Sequence, residues 1–157
     1  MLLLTAYLLS DMSLKWDLRF LELAKHISQW SKDPSTRVGA VAVRDRRILA
    51  TGYNGFPRGV ADLPGRLENR NEKYMRTVHA EANAIAQAAR NAICLEGSDI
   101  YVWPFVPCSN CCTLLIQAGF SRVVVPDLTI PDRWEESFRM SEEMFREAQI
   151  DLVIIDV

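Results

Sequence analysis

The residues best suited to chemistry in this sequence are a histidine, a glutamate and two cysteines that lie in two short motifs. His79-Ala-Glu81 is the first motif, and Pro107-Cys-Ser-Asn-Cys111 is the second. One imidazole and two thiolates are good zinc ligands, and three protein ligands leave the fourth position of a tetrahedral zinc open for water, which is the catalytic form of such a site. The motifs therefore predict Zn²⁺ as cofactor, held by His79, Cys108 and Cys111.

Glu81 lies two residues after the histidine and is suited to a different task. Bound zinc moves the pKa of its water toward about 7, and a carboxylate beside that water can take its proton and pass it to a leaving group. Both motifs are also predicted at the starts of helices, where the helix dipole favours thiolate over thiol. We interpret Glu81 as the catalytic acid and base.

Each motif alone has a more ordinary interpretation. A single histidine at a helix start is usually a cap or a buried structural residue, and a lone Cys-x-x-Cys is often a redox pair or half of a structural zinc site. A redox pair would leave His79 and Glu81 without a task, and two cysteines cannot complete a structural zinc site. Together and in this order, the motifs match the His-x-Glu…Pro-Cys-x-x-Cys signature of zinc-dependent nucleobase deaminases.

Hydrophobic periodicity and turn signals predict the elements that position these motifs. They predict helices over 15–31, 79–91 and 107–118 and from 131, and strands over 38–43, 47–53, 100–103, 122–125 and 152–157. This order predicts an α/β fold, a three-layer α-β-α domain with a mixed sheet of about five strands: the first two form a hairpin and the last three are parallel. Successive helices on one face of such a sheet begin at the same edge, so the two motifs should meet.

Composition limits the class of protein. The chain has 157 residues, of which 49% are hydrophobic and 24% are charged, as expected for one domain with a buried core. We expect residues 1–14 to be an N-terminal extension and residues 15–157 to form the catalytic domain. The formal net charge of -2 argues against a long nucleic acid as partner.

Two further features indicate where the protein works. No apolar run approaches the ~20 residues that span a bilayer, so we expect no membrane partner. Cys111 and Cys112 are adjacent, and Cys108 precedes them by three and four positions, a spacing that suits metal chemistry better than disulfides. We therefore expect a reducing, cytoplasmic location.

Four stretches of the sequence share a wider pattern: Asp33-Pro-Ser-Thr-Arg-Val-Gly-Ala-Val41, Gly52-Tyr-Asn-Gly-Phe-Pro-Arg-Gly59, His79-Ala-Glu-Ala-Asn-Ala-Ile85, and Pro107-Cys-Ser-Asn-Cys111 continuing into Leu115-Ile-Gln-Ala-Gly119. Through them, residues 15–157 resemble the cytidine/deoxycytidylate deaminase superfamily, and the second stretch resembles its deoxycytidylate (dCMP) deaminase branch. The resemblance implies a cytidine-deaminase-like fold, the zinc ligands and proton shuttle named above, and a contact between Asn54 and the nucleotide sugar.

The resemblance also implies an activity and an assembly. It implies zinc-dependent hydrolytic deamination of dCMP to dUMP with release of ammonia, a step toward dTMP in pyrimidine deoxynucleotide metabolism. It further implies a homohexamer that dCTP activates and dTTP inhibits.

Several candidate substrate contacts have two interpretations. The amide of Asn54 offers a donor and an acceptor to a sugar hydroxyl, but Asn-Gly also marks ordinary hairpin turns. Arg37 and Arg58 could bind a 5′-phosphate through bidentate hydrogen bonds, or they could be solvated surface arginines. Trp134 either begins the apolar face of the last helix, which continues through Phe138, or covers the substrate.

Three other functions stay open. A tRNA adenosine deaminase would use the same residue types, although the acidic balance and the long polar segment over 54–76, helical in part, favour a nucleotide enzyme. A deaminase of a 5-substituted dCMP would share every motif described above. A zinc-stabilised binding module would hold the metal without turnover and would unfold on its removal.

Overall fold

The chain folds into a mixed sheet with helices on both faces. The computed structural model describes the backbone of residues 2–157 and the side chains of residues 13–157. The elements in chain order are α1 (Leu2–Ser28), β1 (Gly39–Arg44), β2 (Arg47–Tyr53), α2 (Pro64–Glu68), α3 (Arg70–Arg76), α4 (Ala80–Arg90), β3 (Asp99–Trp103), α5 (Ser109–Gln117), β4 (Arg122–Pro126), α6 (Asp132–Glu147) and β5 (Asp151–Ile155).

The five strands lie in the order β2-β1-β3-β4-β5. β1 is antiparallel to both of its neighbours, while β3, β4 and β5 are parallel to one another. The predicted hairpin and the predicted parallel strands are confirmed. The hairpin turns at Asp45 and Arg46, which both have positive φ, 53° and 62°. β2 occupies the edge, consistent with its exposed residues, while β1 is almost entirely buried.

Alternate residues of β1 face different helices, which gives the fold its three layers. Val41 and Val43 pack with α1 on one face. Ala40 and Ala42 pack on the other face in a larger core that includes α4, α5 and α6. The predicted α/β fold with a three-layer α-β-α arrangement is therefore confirmed.

The first helix begins earlier than predicted. It spans Leu2–Ser28, not 15–31, and so starts inside the predicted extension over 1–14. The sequence contains no glycine or proline before Pro34, so nothing local interrupts the helix there. Met1 and the side chains of residues 1–12 lie outside the described residues. Among residues 2–157, no helix is long and apolar enough to cross a membrane.

Two glycines allow helices to approach the hairpin closely on opposite faces. A Cβ atom at Gly39 would lie 2.1 Å from the carbonyl oxygen of Ala24 in α1. A Cβ atom at Gly52 would lie 2.1 Å from the carbonyl oxygen of Ala80 and 2.6 Å from the amide nitrogen of Ala84, both in α4. These contacts fix the start of α4 against the end of β2.

The contact at Gly52 predicts the effect of a single methyl group. Gly52→Ala should lower the free energy of unfolding by about 1–3 kcal/mol, because the methyl group overlaps the backbone of α4. It should also reduce bound zinc by displacing the start of that helix. Chemical denaturation and metal analysis would measure both effects.

Gly65→Ala is the matched control, because a Cβ atom at Gly65 would meet nothing within 4 Å. It should leave both quantities unchanged or raise stability by about 0.5–1 kcal/mol, as alanine replaces glycine inside a helix. Equal stability of the two variants would contradict the packing argument.

Candidate metal centre and active site

The two sequence motifs lie at the starts of two neighbouring helices. His79 is the N-cap residue of α4, and Cys108 is the N-cap residue of α5. Both have extended backbone, with ψ of 158° and 164°, and neither side chain forms a capping hydrogen bond to its own helix. Their side chains are therefore available to each other across the gap between the helices.

His79, Cys108 and Cys111 form a compact cluster. Nδ1 of His79 lies 3.4 Å from Sγ of Cys108 and 3.4 Å from Sγ of Cys111, and one ligand atom from each residue lies within 4.8 Å of the others. Zinc with bonds of about 2.0 Å to nitrogen and 2.3 Å to sulfur places tetrahedral N and S ligands about 3.6 Å apart. The three donors therefore fit zinc.

The thiols of this cluster interact strongly. A hydrogen bond from Cys111 holds the pKa of Cys108 well below its usual value, although burial opposes the shift and His79 supports it. The same hydrogen bond and burial raise the pKa of Cys111, and the hydrogen bond with Cys108 raises the pKa of His79. Without a cation the pair keeps a proton, so metal binding must release it, and affinity for the metal should rise with pH.

Glu81 is a buried carboxyl group with an unused oxygen. It is 3% exposed, and its Oε2 is the one buried side-chain oxygen or nitrogen among residues 13–157 without a hydrogen-bond partner. Burial raises the pKa of Glu81 above its usual value. Buried polar atoms rarely lack a partner, so this oxygen indicates a ligand or water in the working protein.

Glu81 opens into a cavity with one aromatic part and one polar part. Phe105, Trp134 and Phe138 form a cluster along it, with ring centroids 5.5–6.2 Å apart. The guanidinium of Arg133 lies 4.4 Å from the centroid of the Trp134 ring. Trp134 therefore packs against Phe138, as the apolar face of α6 predicts, and it also lines the cavity. A contact between Trp134 and the substrate stays a prediction.

Asn54 borders the same cavity and ties two loops together. Its side-chain Oδ1 accepts a hydrogen bond from the amide of Val38 (2.8 Å), and Nδ2 donates one to the carbonyl of Thr36 (2.9 Å). Its backbone carbonyl accepts a hydrogen bond from Ser31 Oγ. Asn54 is 5% exposed, so this network holds the loop after β2 in one position.

Lys73 is a cavity residue that the sequence did not reveal. It is 6% exposed, and its Nζ donates to Oδ1 of Asp33 (2.9 Å) and Oγ of Ser35 (3.1 Å). Within the sequence it lies in Arg70–Arg76, a segment that looks like a solvated helix. One related signal is present in the sequence. Asp33-Pro-Ser-Thr is typical of a turn in which the aspartate carboxylate accepts hydrogen bonds from backbone amide groups, and this carboxylate is the partner of Lys73.

Asp33 is held as a carboxylate. Burial alone would raise its pKa, but hydrogen bonds from Lys73 and from the amides of Ser35 and Thr36 together lower it. The amide contacts are 2.7 Å and 3.1 Å long. This carboxylate therefore fixes both the loop before β1 and the ammonium group of α3.

Comparison with known proteins identifies the family. Residues 14–126 match the family model described as the cytidine and deoxycytidylate deaminase zinc-binding region. The chain belongs to this family. It is 44% identical over 140 residues to a protein of Aliivibrio fischeri named "Uncharacterized deaminase in luxG 3'region", covering 88% of this chain and 92% of that protein.

One further relative of this deaminase and one solved structure with a similar fold carry a substrate in their names. Deoxycytidylate deaminase of Mus musculus is 41% identical over 120 residues, covering 73% of this chain and 66% of the mouse protein. The crystal structure of dCMP deaminase from the cyanophage S-TIM5 in complex with dCMP and dUMP superposes with a TM-score of 0.71 at 24% identity, covering 87% of this chain and 94% of that one. This similarity shows the shared fold.

The structure brings most of the predicted site residues of this deaminase together, but not all. His79, Glu81, Cys108, Asn54 and Trp134 line the cavity, and Cys111 completes the cluster beside it. Arg37 and Arg58 are exposed and do not line it. They stay predictions as phosphate contacts.

The cluster geometry predicts which cysteine matters for zinc. Cys108→Ala should reduce zinc well below one ion per chain, because two ligands remain. Cys112→Ala is the matched control: Cys112 is fully buried, but its Sγ lies 3.6 Å from the carbonyl oxygen of Ser141. It should keep its zinc. Metal analysis of both purified variants would decide, and full zinc in Cys108→Ala would contradict the assigned cluster.

Proposed function

We propose that this protein hydrolyses dCMP to dUMP and ammonia, in the synthesis of pyrimidine deoxynucleotides. The observation that carries the proposal is the buried, unpartnered Oε2 of Glu81 in a cavity that also contains His79 and Cys108. A deaminase needs a carboxyl group in that place to move protons between water and the amine that leaves. The named deoxycytidylate deaminases among the relatives support the substrate.

His79, Cys108 and Cys111 would hold the zinc. When bound, zinc lowers the pKa of a water molecule so that hydroxide is available near neutral pH. The positions of His79 and Cys108 at helix N-caps place positive helix dipole ends beside the site, which favours thiolate ligands.

Glu81 would carry the protons. Its Oε2 takes a proton from the water that adds to C4 of the cytosine ring and delivers it to N3. Glu81 then takes the remaining proton of the hydroxyl group on C4 and passes it to the amine. The C4–N bond breaks, ammonia leaves, and the C4 carbonyl of uracil forms. The desolvated surroundings that raise its pKa suit this task, because the group then holds and releases protons closer to neutral pH than a solvated carboxyl does.

The walls of the cavity suit a mononucleotide. Trp134 and Phe105 offer flat apolar surfaces to a pyrimidine ring. Asn54 keeps one Nδ2 hydrogen and one Oδ1 lone pair for a sugar hydroxyl after its two backbone contacts. Tyr74 of α3 and Thr77, which follows α3, form another wall of the cavity. This additional wall favours a small substrate over a folded RNA.

The assembly and regulation implied by the family resemblance belong to the same proposal. We carry forward a homo-oligomer, a hexamer by resemblance, with dCTP as activator and dTTP as inhibitor, and a cytoplasmic location. Four free cysteines among the residues with described side chains agree with a reducing compartment.

A substrate panel tests the function. Ammonia release from dCMP, CMP, deoxycytidine, 5-methyl-dCMP and a tRNA anticodon stem should be fastest with dCMP. Preference for the methylated nucleotide or the tRNA stem would replace the proposed substrate with that one. A zinc-containing protein that turns over none of them would be a binding module.

Replacing the proton carrier should remove turnover without removing metal. Glu81→Gln should lower kcat with dCMP by roughly 10²–10⁴-fold, the usual contribution of a general acid and base, while zinc content stays at the wild-type level. Glu72→Gln is the control, because the side chain of Glu72 is 45% exposed and pairs with Arg76. Near-wild-type turnover in zinc-loaded Glu81→Gln would contradict the role of Glu81.

A further inference from the structure

The cavity contains one strong cation that the reaction chemistry does not use. Among the described residues that line it, Lys73 is the only lysine or arginine, and the acids Asp33 and Glu81 lie along the same lining. An anionic group binds more favourably in such a cavity where a cation offsets those carboxylates. Lys73 is the residue able to do so.

The ammonium group of Lys73 has unused capacity for hydrogen bonding. It has three N–H donors, and the described structure accounts for two, which point to Asp33 and Ser35. The hydroxyl of Ser35 accepts from Lys73, so its own hydrogen is left for a further acceptor. A phosphate oxygen could accept from both groups at once.

Stability does not explain a lysine at this position. Lys73 and Asp33 have side chains only 7% and 10% exposed, and the desolvation of such a pair offsets most of its attraction. A well-packed apolar pair would stabilise the fold at least as well. What the pair does achieve is to hold a cation at a fixed point of the cavity wall, because Asp33 is itself anchored by two backbone amides.

We propose that Lys73, with Ser35, binds the 5′-phosphate of the substrate and so sets the preference for nucleotides over nucleosides. Asp33 is the positioning residue that aims the ammonium group. This inference rests on the proposed function, since it assumes a pyrimidine nucleotide in the cavity. It assigns the phosphate to α3 and the loop before β1, in place of the exposed Arg37 and Arg58.

The test compares two ligands that differ only in the phosphate. Calorimetry on the zinc-loaded protein would give the dissociation constants of dUMP and deoxyuridine. Lys73→Met should raise the dissociation constant of dUMP by roughly 10- to 100-fold, the usual effect of losing a hydrogen bond to a charged group. The dissociation constant of deoxyuridine should change by less than about 2-fold, since this ligand lacks the phosphate that Lys73 contacts.

Lys32→Met is the matched control. Lys32 also pairs with an aspartate, Asp62, at 2.7 Å, but it is 68% exposed and lies outside the lining of this cavity. It should leave both dissociation constants unchanged. Ser35→Ala is the second variant and should weaken dUMP alone, by roughly 2- to 10-fold. Ser35 is exposed, so this variant keeps the test decisive if Lys73→Met fails to fold.

The possible outcomes distinguish failure of this inference from failure of the proposed function. Equal weakening of dUMP and deoxyuridine in Lys73→Met would mean a structural role and would overturn the inference. So would an unchanged dUMP constant in Ser35→Ala, or a larger loss of dUMP binding in Arg37→Met or Arg58→Met than in Lys73→Met. If the wild-type protein binds dUMP no better than deoxyuridine, the nucleotide substrate itself is wrong.

Discussion

At the edge of the sheet, α4 passes so close to β2 that a side chain at Gly52 would collide with the backbone of Ala80. The position of the active site depends on that approach. This close approach fixes the position of the α4 N-terminus, where His79 and Glu81 lie, relative to the loop that carries Asn54. α5 begins beside it after β3, so Cys108 and Cys111 meet the histidine. The close packing of the β2 and α4 backbones leaves the start of α4 little freedom to move. This packing therefore determines where the zinc ligands meet.

Around this point the protein buries groups that would be more stable in water. The carboxyl of Glu81 is desolvated without a partner for one oxygen, and two thiols lie next to an imidazole. Lys73 and Asp33 add a buried ion pair on the cavity wall. Each arrangement contributes little to stability or reduces it. Their concentration in one cavity is what distinguishes a functional site from the apolar cores on either face of the sheet.

Sequence patterns predict the parts of this site that depend on local signals. His79 and Cys108 stand at helix starts marked by turn residues and apolar periodicity, and the order of elements predicts a common sheet edge. Lys73 escapes such reasoning because its partner Asp33 is 40 positions away, and its own helix looks solvated. The exposure of Arg37 and Arg58 likewise depends on how the loops fold back, which no local pattern encodes.

X-ray absorption at the zinc edge of the protein as purified would show whether two helix starts present one imidazole and two thiolates to zinc. We expect two sulfur neighbours at about 2.3 Å and two nitrogen or oxygen neighbours at about 2.0–2.1 Å, one of them an imidazole. A shell of four sulfurs, or a shell without sulfur, would contradict this expectation.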